Sequence, residues 1–167
     1  MIIRLEMQED IEAIENVTKA AFSGKSYSDQ TEHLILNRLR ATGALTLSLV
    51  AVTNEQVVGH VAFSIVTING EDKGWFGLGP LSVLPELQKQ GLGSQLINAG
   101  LALIREKGAQ GCVLEGSPAY YNRFGFKSYP QLHYEGAPAP EYFMALPFYD
   151  ELPSGKVEFH SAFYGKA

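Results

Sequence analysis

The chain has only one cysteine, Cys112, so it can form no disulfide within itself, and a reducing compartment is expected. Its neighbours in "GCVLEG" give the thiol the setting of a small apolar strand residue rather than a nucleophile. No apolar stretch approaches the ~20 residues that a membrane span needs. The start, "MIIRLEMQED", lacks the charged, apolar and small-residue zones of a secretory leader. A cytoplasmic protein with no membrane partner is the expectation. Positive charge is scarce, with 13 Lys and Arg against 18 Asp and Glu, a net charge of -5. No basic block or aromatic-interleaved basic stripe is present, which argues against a nucleic-acid partner. Backbone N–H groups can still hold an anionic small molecule locally, whatever the overall charge. His33, His60, His133 and His160 show no metal-ligand spacing with one another or with Cys112, so no metal is predicted. Neither a Gly-x-Ser-x-Gly run nor a Cys–His relay suggests a hydrolase. Internal repeats and low-complexity tracts are also lacking.

What is present suits one compact domain: 167 residues, 46% of them hydrophobic. Ile2 to Glu6 has the pattern of a strand, and Ile11, Ile14, Val17 and Ala21 follow at helical spacing. Gly24 and clustered serines interrupt it, and a second helix is predicted from about Asp29 to near Gly43. Leu45 to Thr53 and Gln56 to Ile68 are β-branched runs joined by "TNEQ". The Asn69-Gly70 turn then returns a third strand from about Lys73 to Val83. That strand contains Pro80, which has no N–H for a ladder, so a bulge or splay is expected there. A long helix is predicted from Gly91 to about Lys107, and a short buried strand over Cys112 to Leu114. Ser117 and Pro118 then open a brief helix as N-cap and N1. Phe126 to Tyr129 and Tyr142 to Leu146 are candidate later strands. The fold class is α/β or α+β: a three-layer sandwich whose mixed, mostly antiparallel central sheet carries helices on both faces. Trp75 to Leu114 should form a right-handed parallel crossover.

The stretch Gln88-Lys89-Gln90-Gly91-Leu92-Gly93-Ser94 carries the chemistry. Glycines 91 and 93 remove Cβ atoms where backbone must come close to a ligand, and the helix behind them aims unpaired N–H groups outward. On pattern alone the run fits either a steric strand-to-helix turn or an anion cradle. A dinucleotide fingerprint would want Gly or Ala where Leu96 stands, and a P-loop would want Gly-Lys-Ser/Thr.

Together with Leu81-Ser82-Val83 before it and Tyr120-Tyr121-Asn122-Arg123-Phe124-Gly125-Phe126 after it, this run resembles the GCN5-related N-acetyltransferase (GNAT) superfamily. Gln88 to Ser94 matches that family's Q/R-x-x-G-x-G/A signature, and Tyr121 to Phe126 its terminal Tyr…Gly-Phe element. The resemblance covers about residues 1–150 and is nearest the YhbS-like branch, including the "VEFHSAF" of the tail. It implies one transferase domain over 1–150 and a C-terminal extension, 151–167, packing on that domain or on a partner.

The resemblance also implies a site for acetyl-CoA as cosubstrate. N–H groups from Gln88 through Lys89, Gln90, Gly91, Leu92 and Gly93 to Ser94 would hold the pyrophosphate. The edge of Leu81, Ser82 and Val83 would pair with pantetheine, and Asn122 could reach it too or cap a backbone group. The Val83 N–H would polarise the acetyl carbonyl, a kind of donor whose loss costs about 3 kcal/mol. Tyr121 would be the general acid for the leaving thiolate. Glu115 and His60 are candidate bases, with deprotonation through ordered water equally admissible. The third strand has no carboxylate between Lys73 and Val83, where many relatives carry a glutamate. The acceptor would be a small-molecule or peptide amine, and a homodimer is possible. A non-catalytic acyl-CoA-binding or sensing module is the alternative, motivated by that missing carboxylate.

Overall fold

A computed structural model of the chain describes residues 1–165. The last two residues of the extension expected over 151–167 lie outside the described residues. Six strands form the main sheet: β1 (Ile2–Leu5), β2 (Leu45–Thr53), β3 (Gln56–Ile65), β5 (Trp75–Val83), β6 (Gly111–Glu115) and β8 (Phe143–Pro147), in that spatial order. Within this sheet β5 and β6 are the one parallel pair among the described residues, and the long helix α3 (Leu92–Glu106) connects them. β4 (Thr67–Ile68), β7 (Leu132–His133) and β9 (Gly155–Glu158) make a small second sheet in the order β4-β9-β7.

Strand periodicity sorts the side chains. Leu49, Ala51, Val61 and Phe63 turn towards α3 and its Leu92, Leu96, Ile97 and Ile104. Val50 and Ala62 turn the other way, against Ile14 of α1 (Ile11–Phe22) and Leu36 of α2 (Glu32–Ala41). A third cluster joins Trp75 and Val113 to Val157 and Phe159, so the residues after 151 cover the sheet beyond α2. Arg38 of α2 donates to the Ala162 carbonyl at 3.2 Å, which ties the two coverings together. Among the described residues no helix is long and apolar enough to cross a membrane, and no group of three or more His, Cys, Asp or Glu side chains could hold a metal.

Some boundaries differ from the sequence-based expectation, each for a tertiary reason. The Gln56 to Ile68 run is two strands, because β4 leaves the main sheet to pair with β9 through Thr67–Glu158 and Ile68–Val157. Phe126 to Tyr129 forms only an isolated bridge from Lys127 to Ala145, as the fully buried Phe126 ring belongs to the α3 core. The second helix starts at Glu32 rather than about Asp29, since Ser28 bonds the Glu32 carboxylate at 2.7 and 2.8 Å and folds the chain ahead of it into a turn.

Candidate functional site

At Pro80 the ladder between β3 and β5 slips by one residue: Val61 faces Leu81, but Phe63 faces Leu78. On its other edge β5 pairs with β6 only from Trp75 to Gly77. From Leu78 onward the edge of β5 is bare on that side, a splay between parallel neighbours at the C-terminal end of the sheet. The Leu84 N–H donates to the Val58 carbonyl at 3.0 Å. Backbone groups alternate sides along a strand, so Ser82 shares that side, while Leu81 and Val83 aim theirs into the splay. The Val83 carbonyl accepts from Gln88 Nε2 at 2.9 Å, which ties the following loop to the strand end.

That loop meets α3 through Gly91, left-handed at φ 86° and the N-cap. The first helical bond runs from the Gln95 N–H to the Gly91 carbonyl, and no side chain caps the turn. Leu92, Gly93 and Ser94 therefore present N–H groups with no intrahelical acceptor, at the positive end of a 15-residue helix. Leu92 buries its side chain in the core, so only its backbone can serve a ligand. The Gln88 N–H is already engaged with the Pro85 carbonyl at 3.3 Å; its contribution is the side chain that braces the loop. Lys89 is left-handed at φ 65° and exposed, and Gln90 reaches back to the Glu86 carbonyl at 3.3 Å.

α4 (Pro118–Tyr121) closes the third side. Ser117 caps it through its carbonyl, which accepts from the N–H groups of Tyr120 and Tyr121. Tyr120 lies against the loop, its hydroxyl 3.0 Å from where a Cβ on Gly93 would sit. Tyr121 packs edge-on against Tyr120 and Phe126. Desolvation raises the Tyr121 pKa, with the nearby Tyr120 and Tyr27 hydroxyls adding to it, so the phenol stays protonated. Its ring rests on Gly116, where a Cβ would come within 2.5 Å of Cε2. Gly116→Ala is accordingly expected to cost about 1–3 kcal/mol through overpacking, read from a lower urea midpoint with an unchanged m-value. The sequence reading passed over Gly116; its only local signal is a small residue just ahead of the aromatic pair.

Asn122 is exposed at the end of α4. Glu115 ends β6, on the sheet face away from α3, exposed but crowded enough for desolvation to raise its pKa. Gly77, on the carboxylate-free third strand, is covered by Phe159, whose Cε1 lies 2.6 Å from a hypothetical Cβ. Two concavities, of about 350 Å³ around Trp75 and Glu151 and about 220 Å³ around Tyr134 and Lys156, both avoid the loop.

His60, on β3, is fully buried on the α1 and α2 side of the sheet, and burial lowers its pKa to about 4. Its Nε2 lies 2.7 Å from Ser48 Oγ. Ser48 Oγ in turn donates to Glu6 Oε1 at 2.6 Å, and Arg40 bonds the same carboxylate at 2.7 and 3.0 Å.

Residues 11–126 match the model of the acetyltransferase (GNAT) family. Over 128 residues, 76% of this chain and 74% of the relative, the sequence is 41% identical to the uncharacterized N-acetyltransferase YhbS of Escherichia coli K12. Among solved structures, a GNAT family acetyltransferase from Brucella melitensis in complex with acetyl-CoA is 49% identical, with TM-score 0.87 and 97% of each chain covered. Escherichia coli YhbS in complex with CoA superposes with TM-score 0.90 at 35% identity, covering 98% of this chain and 91% of that one.

Proposed function

Because this chain belongs to the acetyltransferase (GNAT) family, we propose that it transfers the acetyl group of acetyl-CoA to a primary amine by direct attack in a ternary complex. The observation that carries this reading is the bare edge of β5 beside the uncapped start of α3, where the Tyr120 hydroxyl approaches Gly93 and Tyr121 packs on Tyr120. Acetyl-CoA supplies the thioester. The N–H groups from Lys89 to Ser94 would bind its pyrophosphate, with Gly91 and Gly93 leaving room for close approach. Leu81 and Val83 would pair with pantetheine as a strand pairs with a sheet edge, while Ser82 between them turns its backbone to β3, and Asn122 would stand at the margin.

The Val83 N–H, held towards the splay by the β5 register, would donate to the acetyl oxygen as negative charge develops there. Tyr121, kept protonated by its surroundings, would give its proton to the departing sulfur. Glu115 stands on the acceptor face as a candidate base or a carboxylate partner for an incoming ammonium. In this reading residues 1–150 are the transferase domain, and the extension from 151 walls the acceptor side through Phe159 and the small sheet.

Acetyl-CoA at ten times its Kd should stabilise the fold by about 1.4 kcal/mol and raise the melting temperature by about 3–6 °C. Thiol release would then be followed with cadaverine, tyramine and an N-terminally free peptide as acceptors. Multiple turnover with any of them supports transfer. A shift without turnover favours the non-catalytic acyl-CoA-binding module, and no shift at millimolar acetyl-CoA refutes both readings.

A further inference from the structure

Three buried side-chain atoms have no hydrogen-bond partner among the described residues, and two of them, His60 Nδ1 and Ser82 Oγ, belong to directly opposed residues on β3 and β5. Opposed residues on neighbouring antiparallel strands share a face, with Cβ atoms about 5 Å apart. Ser82 sits between Leu81 and Val83, the two residues whose backbones face the splay.

The hydrogen bonds on the other side of His60 fix its tautomer. Against the desolvation that would raise it, hydrogen bonds from Arg40 and Ser48 hold the Glu6 pKa below the ordinary carboxylate range, so Glu6 is ionised and only accepts. Ser48 therefore gives its one proton to Glu6 at 2.6 Å and must accept from His60 Nε2–H at 2.7 Å. That leaves Nδ1 as a bare lone pair, buried and aimed away from Ser48, opposite a serine hydroxyl that also lacks a partner. A buried acceptor beside a buried donor, each unsatisfied, is costly unless a small rotation or one water joins them.

We propose that these groups form a proton relay serving the transfer reaction, from Ser82 Oγ through His60 and Ser48 Oγ to Glu6, with His60 as its central positioning residue. The relay rests on the acetyl-transfer reading given above. As the acceptor ammonium meets the splay, its N–H bond breaks and a proton passes through one water to Ser82 Oγ, which is itself buried. The Ser82 proton moves to His60 Nδ1, the Nε2 proton to Ser48, and the Ser48 proton to Glu6. The amine is left neutral for attack. Glu6 holds the proton only in transit, since Arg40 favours its ionised form and its side chain is 16% exposed for release to water. Of the elements packed around His60, α2 contributes only Arg40 as a charged group, the segment after β1 only Glu6, and α1 buries Ile14, Val17, Thr18 and Ala21. This path supplies what the carboxylate-free β5 lacks.

The test compares kcat between pH 6.5 and 9.5 for wild type, His60→Gln, Ser48→Ala and Ser48→Thr, with acetyl-CoA and whichever of the three named acceptors turns over fastest. His60→Gln and Ser48→Ala should lose about tenfold or more at pH 7, with the loss shrinking as pH rises and bulk water supplies neutral amine. Acetyl-CoA binding should stay within twofold, and Ser48→Thr should restore most of the rate. A loss that is constant across the range, or absent, overturns the relay while leaving the transfer reading intact. Absence of wild-type turnover defeats transfer and relay together. Should His60→Gln not fold, the two Ser48 variants decide by the same pH signature.

Discussion

Replacing Tyr121 with phenylalanine will lower kcat by about 100-fold or more while leaving the Kd for acetyl-CoA within about twofold. The substitution is clean because the ring's aromatic contacts are edge-on or tilted and need no hydroxyl: Tyr120 at 4.9 Å, Phe124 at 6.3 Å and Phe126 at 6.2 Å between centroids. Phenylalanine keeps these and its seat on Gly116, so only the hydroxyl is lost. Desolvation raises the pKa of that hydroxyl, which makes it a reliable proton carrier at neutral pH and a poor nucleophile or base. An acid acts on the departing sulfur in the transition state and contributes little to ground-state binding, so the effect belongs in kcat. Isothermal titration and steady-state kinetics on the same preparation check this. An unchanged kcat would assign the acid to another group, and a Kd raised in proportion would make Tyr121 a binding residue.

Local chemistry in the sequence announced most of the frame that holds this site. Asn69-Gly70 marks a turn because its backbone needs positive φ, and both residues have it. Pro80 marks the slipped ladder because proline cannot donate, and the slip lies between Val61 and Phe63 as that logic requires. Gly91 marks the sharp entry to α3. What stayed hidden depends on pairings distant in sequence. Nothing in "VTING" says that Thr67 and Ile68 will desert β3 for Glu158 and Val157. Nothing in "GWFG" says that Phe159 will cover Gly77. Arg123, which sets its guanidinium 4.7 Å over the Tyr120 ring, became visible only once α4 was folded. The Glu6, Ser48 and His60 chain draws on three separate segments, so a lone histidine in an apolar strand gave no sign of which ring nitrogen would be left bare.

That same buried chain sets the largest expected response of stability to acid. His60 is neutral in the fold with a pKa lowered to about 4, against 6.5 for a free imidazole. Between these values the unfolded chain binds a proton that the native state refuses, so stability rises with pH across this window and falls as acid is added. The gap of about 2.5 pH units, at about 1.4 kcal/mol each, predicts a loss of about 3 kcal/mol from His60 on going from pH 7 to 4. Below pH 4 both states carry the charge and this contribution levels off. Glu6, lowered by its bonds to Arg40 and Ser48, then continues the decline as pH falls through its folded value. Glu115, raised by desolvation, tilts the curve the opposite way above the ordinary carboxylate range, which is why a single wild-type profile cannot isolate His60. Urea midpoints measured every half unit from pH 7.5 to 4 for wild type and His60→Gln separate the contributions: the difference between the two curves should change by about 3 kcal/mol over that span. Parallel curves would mean that His60 takes up its proton in the native state, and Arg40, Glu6 and Ser48 would then have to be holding an imidazolium rather than a neutral ring.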